Sequence, residues 1–110
     1  MSGLTFEEFR VASVTRMLDA WPDHAGVGGA DPWSPCDWMT ALAGEVGEAA
    51  NLIKKRRRGE DIPTELIAKE LADVQAYLVL LAECLLIDLE EATIAKFNEV
   101  SDRVGSGVHL

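Results

Sequence analysis

The fold is decided by two stretches of sequence, ALAGEVGEAANLIKK at residues 41–55 and KELADVQAYLVLLAEC at residues 69–84. Each combines apolar residues at helical spacing with two acids three positions apart, Glu45 with Glu48 and Glu70 with Asp73. Residues at i and i+3 share one face of a helix, so each stretch presents two carboxylates together. Because apolar residues surround both pairs, we expect the four carboxylates to meet in a partly buried place if the two helices pack antiparallel.

Helix-start signals on either side of these stretches predict four helices. Thr5, Ser34 and Asp88 are the expected N-cap residues, and an acid follows Thr5 and Asp88 at the capping-box spacing. The helices are expected over about 5–20, from Pro35 until Gly59, from about 64 to 86, and from Asp88 until before Gly105. The core stripe of the third helix is expected to contain Leu66, Ile67, Leu71, Val74, Leu78 and Leu81. The tail GSGVHL is expected to be loose.

Composition favours one all-α domain over residues 1–110, a four-helix bundle, because 110 residues with 48% hydrophobic content suffice for one core but not for two. No apolar run reaches the length of a membrane span and the first residues do not resemble a signal peptide, so a cytoplasmic protein, or one in a host cytoplasm if viral, is expected. The net charge of −9 argues against binding a nucleic-acid backbone. Cys36 and Cys84 are interpreted as reduced thiols.

The acid pairs predict a metal site. Four carboxylates at close range repel one another unless a cation neutralises them, and all-oxygen ligands suit Mg²⁺ or Mn²⁺. The alternative is that these acids face solvent and pair with lysine or arginine, as most helical glutamates do. A di-iron centre would need Glu-x-x-His, and the histidines His24 and His109 lie in a loop and in the tail.

These residues resemble a known family. ALAGEVGEAANLIKK, followed by KELADVQAYLVLLAECLLIDLEEATIAKFNEVSDR, is similar to the MazG-like branch of the all-α NTP pyrophosphohydrolases, whose signature is E-x-x-E followed by E-x-x-D on the next helix. The resemblance implies Mg²⁺ as cofactor, with Mn²⁺ able to substitute, and a homo-oligomer, a tetramer in preference to a dimer. It implies that the metal ligands are Glu45, Glu48, Glu70 and Asp73, with Glu45 or Glu48 as the catalytic base for water. It also implies phosphate contacts from Lys96, Asn98 and Arg103.

Further substrate contacts are predicted from position along the helices. Trp38 and Tyr77 share helix faces with the acids, so either ring could contact a base or a sugar, the alternative being core packing. Asn51 is a candidate for hydrogen bonds to the base, and Lys54 opens a basic run that either attracts phosphate, pairs across an oligomer or is simply solvated. The loop aromatics Trp21, His24 and Trp33 form a base pocket or anchor the loop.

The leading hypothesis is Mg²⁺-dependent hydrolysis of a (deoxy)nucleoside triphosphate to monophosphate and pyrophosphate, with dGTP as the favoured substrate. Two alternatives stay open. One is a non-catalytic helical oligomer that binds divalent ions or nucleotides for regulation, and the other is a purely structural bundle.

Overall fold

The computed structural model of the protein describes residues 3–25 and 29–110, so residues 26–28, in the loop between His24 and Trp33, lie outside this description. The described part is all-helical and has no strand, as predicted. Its helices are α1 (Phe6–Ala20), α2 (Pro35–Arg57), α3 (Thr64–Cys84) and α4 (Leu89–Val104). Among these described segments, none is both long enough and apolar enough to cross a membrane.

The predicted caps start three of the helices. The side chains of Thr5, Ser34 and Asp88 each accept a hydrogen bond from the backbone amide three residues further along. These bonds satisfy amides that the first turn of a helix leaves without a partner. Gly105 ends α4 with φ 73°, the left-handed conformation that glycine adopts at little cost.

Helices α2 and α3 form an antiparallel hairpin, which is the main helix pair of the chain. Near the connecting turn, Arg56 Nη1 donates a hydrogen bond of 3.1 Å to Thr64 Oγ1. At the opposite end the rings of Trp38 and Tyr77 lie 6.3 Å apart. This pairing brings the two acid motifs to the same level in the middle of the hairpin.

Helix α1 packs against α3 and completes a small core. Met17 of α1, Trp38 of α2 and Leu80 of α3 are buried together. Arg10 Nη1, 3.2 Å from Glu83 Oε2, joins α1 to the last turn of α3. The core therefore lies next to the first half of α2 and the second half of α3.

The predicted core stripe of α3 is wrong for half of its members. Leu66, Leu71 and Leu78 are 43%, 53% and 40% exposed, whereas Val79 and Leu80 are buried. Helical spacing alone predicts this stripe. In the structure, the face of α3 that carries Leu80 packs against α1 and the aromatic residues. Leu71 and Leu78 border an open groove that also contacts Phe6 of α1 and Leu89 of α4, and they are only partly covered there.

Helix α4 makes only marginal contacts with α1, α2 and α3, and its apolar residues stay accessible. The tail after it is not loose, contrary to expectation. Leu110 N donates a 2.9 Å hydrogen bond to Asn98 Oδ1, and Asn98 Nδ2 donates in return to Leu110 O at 3.3 Å. His109 Nε2 lies 2.7 Å from Asp102 Oδ1. Side chains of α4 therefore hold the tail, an effect that tail composition does not reveal.

Candidate functional site

Three of the four predicted metal acids converge between α2 and α3. Glu45, Glu70 and Asp73 each offer a carboxylate oxygen, and these oxygens all lie within 4.8 Å of one another. Glu48 is outside this trio, but it is close enough to Glu70 to raise the pKa of that carboxyl group. The antiparallel hairpin therefore brings three of the four predicted acids into one cluster, with Glu48 beside it.

The cluster strongly favours a proton on Glu45. Desolvation, a hydrogen bond with Glu70 and the charges of Glu48 and Asp73 together raise the pKa of Glu45 to about 7. Burial disfavours the charged form of a carboxyl group, and neighbouring carboxylates add to that effect. Near neutral pH, Glu45 is therefore poised between its protonated and ionised forms.

Glu70 titrates in the same sense. A hydrogen bond with Glu48 is the main reason why the pKa of Glu70 is raised, and desolvation and the charges of Glu48 and Asp73 contribute. The carboxyl groups of the two acid motifs therefore affect one another's protonation.

No protein cation neutralises the cluster in the described residues. Each ion pair there joins other groups, and none includes Glu45, Glu48, Glu70 or Asp73. In addition, Glu45 Oε2 and Glu70 Oε2 are buried without a hydrogen-bond partner. Buried carboxylate oxygens without partners are costly, and an oxygen-only donor set fits a hard divalent cation. These acids are thus suited to bind metal. In the described part of the chain none of them pairs with lysine or arginine, although Glu48 and Asp73 are exposed to solvent.

An aromatic pocket of about 350 Å³ opens beside the acids. Asp73 lines both the cluster and this pocket, so the two are continuous. The aromatic walls are Trp21, His24, Trp33, Trp38 and Tyr77. A flat apolar group with a charged substituent fits this combination of rings and acids.

The rings form a connected series. Trp33 and Trp38 pack edge to face with centroids 4.6 Å apart, and Tyr77 follows at 6.3 Å from Trp38. Trp38 is only 5% exposed and belongs to the core as well as to the pocket wall. Trp38 therefore packs in the core, and its ring also borders the cavity. Contact between Trp38 and a base stays a prediction.

The ends of the connecting loop hold His24 and Trp33 in place. Trp33 N donates to His24 O at 3.2 Å, and Asp31 N donates to Asp23 O at 2.9 Å. A Cβ at Gly29 would collide with the backbone of Asp23, so this close approach requires glycine. The loop aromatics thus both anchor the loop and line the pocket.

Tyr77 connects the pocket to the acids electrostatically. Burial, followed by the charges of Glu45 and Asp73, raises the pKa of the Tyr77 phenol. The hydroxyl therefore stays protonated at neutral pH and can donate a hydrogen bond to a ligand.

The remaining predicted contacts lie elsewhere in the single chain, because none of them lines the aromatic pocket. Lys96 pairs with Glu99 at 3.4 Å, and the amide of Asn98 is occupied by the backbone of Leu110. The other three side chains are exposed on α2 or α4, and they are Asn51, Lys54 and Arg103.

One charged residue of the pocket was not predicted from the sequence. Arg16 of α1 lines the pocket, although nothing in its local sequence distinguishes it from the other surface arginines. Its position in the sequence could have suggested this role. Arg16 directly precedes Met17, which is buried in α1 together with Ser13.

Most of the chain matches a known domain family. Residues 34–105 match the family model described as the MazG nucleotide pyrophosphohydrolase domain. The matched segment contains α2, α3 and α4 and therefore all four acids of the two motifs, whereas α1 and the loop aromatics before Ser34 lie outside it. No match was found among the curated proteins.

Proposed function

Because the chain belongs to the family of MazG nucleotide pyrophosphohydrolase domains, we propose that it hydrolyses (deoxy)nucleoside triphosphates to the monophosphate and pyrophosphate, with Mg²⁺ as cofactor. The observation that carries this proposal is the acid cluster, with three carboxylates within 4.8 Å and two buried oxygens that lack partners. Mn²⁺ is expected to substitute, since it accepts the same oxygen ligands.

Glu45, Glu48, Glu70 and Asp73 would hold the metal. When bound, a divalent cation neutralises phosphate charge and lowers the pKa of water, which makes water a better nucleophile. Glu45 or Glu48 would accept the proton of the water that attacks phosphorus, while the bond to the departing pyrophosphate breaks. The pKa of Glu45 is about 7 without metal, and a bound cation would lower it, so Glu45 would be ionised and able to accept a proton.

The aromatic pocket is proposed to receive the base and sugar. Trp33 offers a partly exposed ring beside the buried Trp38, and stacking of a base on an aromatic ring contributes about 1–3 kcal/mol in nucleic-acid complexes. The continuity of the pocket with Asp73 would let the triphosphate extend from the base to the acids. Among substrates, we favour a deoxypurine triphosphate, dGTP first, because the linked rings offer a wide stacking surface.

Phosphate contacts from Lys96, Asn98 and Arg103 belong to an oligomeric form in this proposal. These residues lie on α4, which is poorly covered in the single chain, and a homo-oligomer could bring them to the acids of a second copy. A tetramer is favoured over a dimer. Asn98 would then have to exchange its bonds with Leu110 for bonds to phosphate. Asn51 and Lys54 are candidates for substrate contacts in the same oligomer.

The decisive assay incubates the protein with a panel of NTPs and dNTPs, with Mg²⁺ or with EDTA, and measures released pyrophosphate. Glu48→Gln and Asp73→Asn are expected to lower kcat by roughly 100-fold or more while helicity by circular dichroism is retained. Glu65→Gln is the matched control, because Glu65 is an exposed acid on α3 outside the cluster.

Two results would refute the enzyme proposal. Turnover in Glu48→Gln or Asp73→Asn equal to that of the unaltered protein would exclude the acid cluster as the site. Mg²⁺-dependent nucleotide binding without any pyrophosphate release would support the regulatory oligomer instead.

A further inference from the structure

Arg16 is a cation of the aromatic pocket, and no group in residues 3–25 or 29–110 pairs with it. It lines the pocket from α1, and in the described part of the chain its guanidinium takes part in no hydrogen bond or ion pair. Arg10 on the same helix differs, because it donates to both Glu7 and Glu83. A guanidinium has five N–H donors, so Arg16 has its full donor capacity available to a ligand.

Arg16 is separate from the acid cluster. Of the four acids, only Asp73 lines the pocket. Among the described residues, Arg16 forms no ion pair with any of the four. A triphosphate held at the acids would therefore direct the opposite end of the nucleotide, the base, toward Arg16.

His24 supplies the complementary polar group. Its Nδ1 lies 2.7 Å from Asp31 O, and a carbonyl oxygen can only accept, so the hydrogen of a neutral imidazole sits on Nδ1. The Nε2 atom is then an acceptor. The pocket thus combines aromatic walls with the N–H donors of the Arg16 guanidinium and one acceptor, His24 Nε2.

We propose that Arg16 selects the base, by donating two hydrogen bonds to a base that carries two neighbouring acceptor atoms. Guanine, through O6 and N7, and cytosine, through O2 and N3, have such a pair, whereas adenine, thymine and uracil do not. His24 Nε2 would accept from an N–H of the same base. This inference rests on the proposed function for the position of the triphosphate, and it adds the class of base and the residue that reads it.

The experiment compares kcat/KM for dGTP, dCTP, dATP, dTTP and dUTP in the unaltered protein and in Arg16→Lys and Arg16→Met. A bidentate arginine contact discriminates between bases by about 1–3 kcal/mol in protein–DNA complexes, which is roughly 5- to 150-fold. We expect dGTP or dCTP to be preferred at least about tenfold over the other three. Both variants should lose that preference, because lysine keeps the charge but not the fork. Arg10→Lys is the control on the same helix and should keep it.

Two outcomes would overturn the inference. An equal loss of kcat/KM for all five substrates would mean that Arg16 contacts phosphate or sugar. An unchanged preference in both variants would mean that Arg16 does not contact the base. Calorimetric titration with dGMP, dCMP and dAMP separates this inference from the proposed function. Arg16-dependent binding of dGMP or dCMP by a protein that hydrolyses no triphosphate would support the role of Arg16 while refuting the enzyme.

Discussion

The acid cluster is expected to destabilise the metal-free protein, and Glu45→Gln tests this directly. The folded-state pKa of Glu45 is raised from 4.5 to about 7, so the folded chain retains a proton that the unfolded chain has already released. The stabilising effect of that proton is fully present below pH 4.5 and is lost as the pH rises through 7. At pH 8 the ionised Glu45 therefore lowers the free energy of unfolding.

The size of the effect follows from the pKa. A shift from 4.5 to about 7 corresponds to about 3 kcal/mol, and screening by the solvent that borders the cluster reduces it to about 1–2 kcal/mol. Replacing the carboxylate with a neutral amide of the same shape should recover this energy and raise the Tm at pH 8 by about 4–10 °C. At pH 4 the two proteins should melt alike.

Thermal unfolding followed by circular dichroism in EDTA measures this, with Asp61→Asn as the control for removal of one exposed charge. Millimolar Mg²⁺ should reverse the order, because a ligand that binds only the folded state stabilises it, and the variant lacks one ligand. A Glu45→Gln protein that melts at or below the temperature of the unaltered protein at pH 8 in EDTA would refute the account of the cluster.

Three further predictions concern packing and backbone. Light scattering at micromolar concentration should report at least a dimer, because α4 and one face of α3 are uncovered, and a 12.0 kDa species would contradict this. Trp38→Ala should cost about 3–5 kcal/mol in denaturant unfolding because the ring is 5% exposed, and a loss below about 1 kcal/mol would place Trp38 outside the core. Leu86→Gly should stabilise the protein by roughly 1 kcal/mol, since Leu86 has φ 57° and a 92% exposed side chain. A lower Tm in that variant would show that the side chain is needed.

Features set by neighbours in sequence were predictable. Helix starts depend on bonds across three residues, and the side chains of Thr5, Ser34 and Asp88 act as expected. The acid cluster was predictable for a related reason, because a short connection forces α2 and α3 into an antiparallel hairpin. Spacing along each helix then aligns the two acid pairs.

Features set by packing between distant segments were not predictable. The face of α3 that is buried depends on where α1 lies, so the stripe through Leu71 and Leu78 was assigned to the core although both side chains are exposed. Arg16 lines the pocket because of the position of α1, which local sequence does not determine. The order of the tail depends on Asn98 and Asp102, two α4 side chains that helical patterning treats as ordinary surface residues.

The poor attachment of α4 affects how the chain unfolds. A helix of 16 residues is near the length at which helices are marginal in water, so α4 depends on contacts from outside itself. With few such contacts in one chain, its backbone amides should exchange with solvent deuterium through local opening, well before those of α2 and α3. Unfolding would then lack a single transition, and protection of α4 would grow with protein concentration if a second copy covers it.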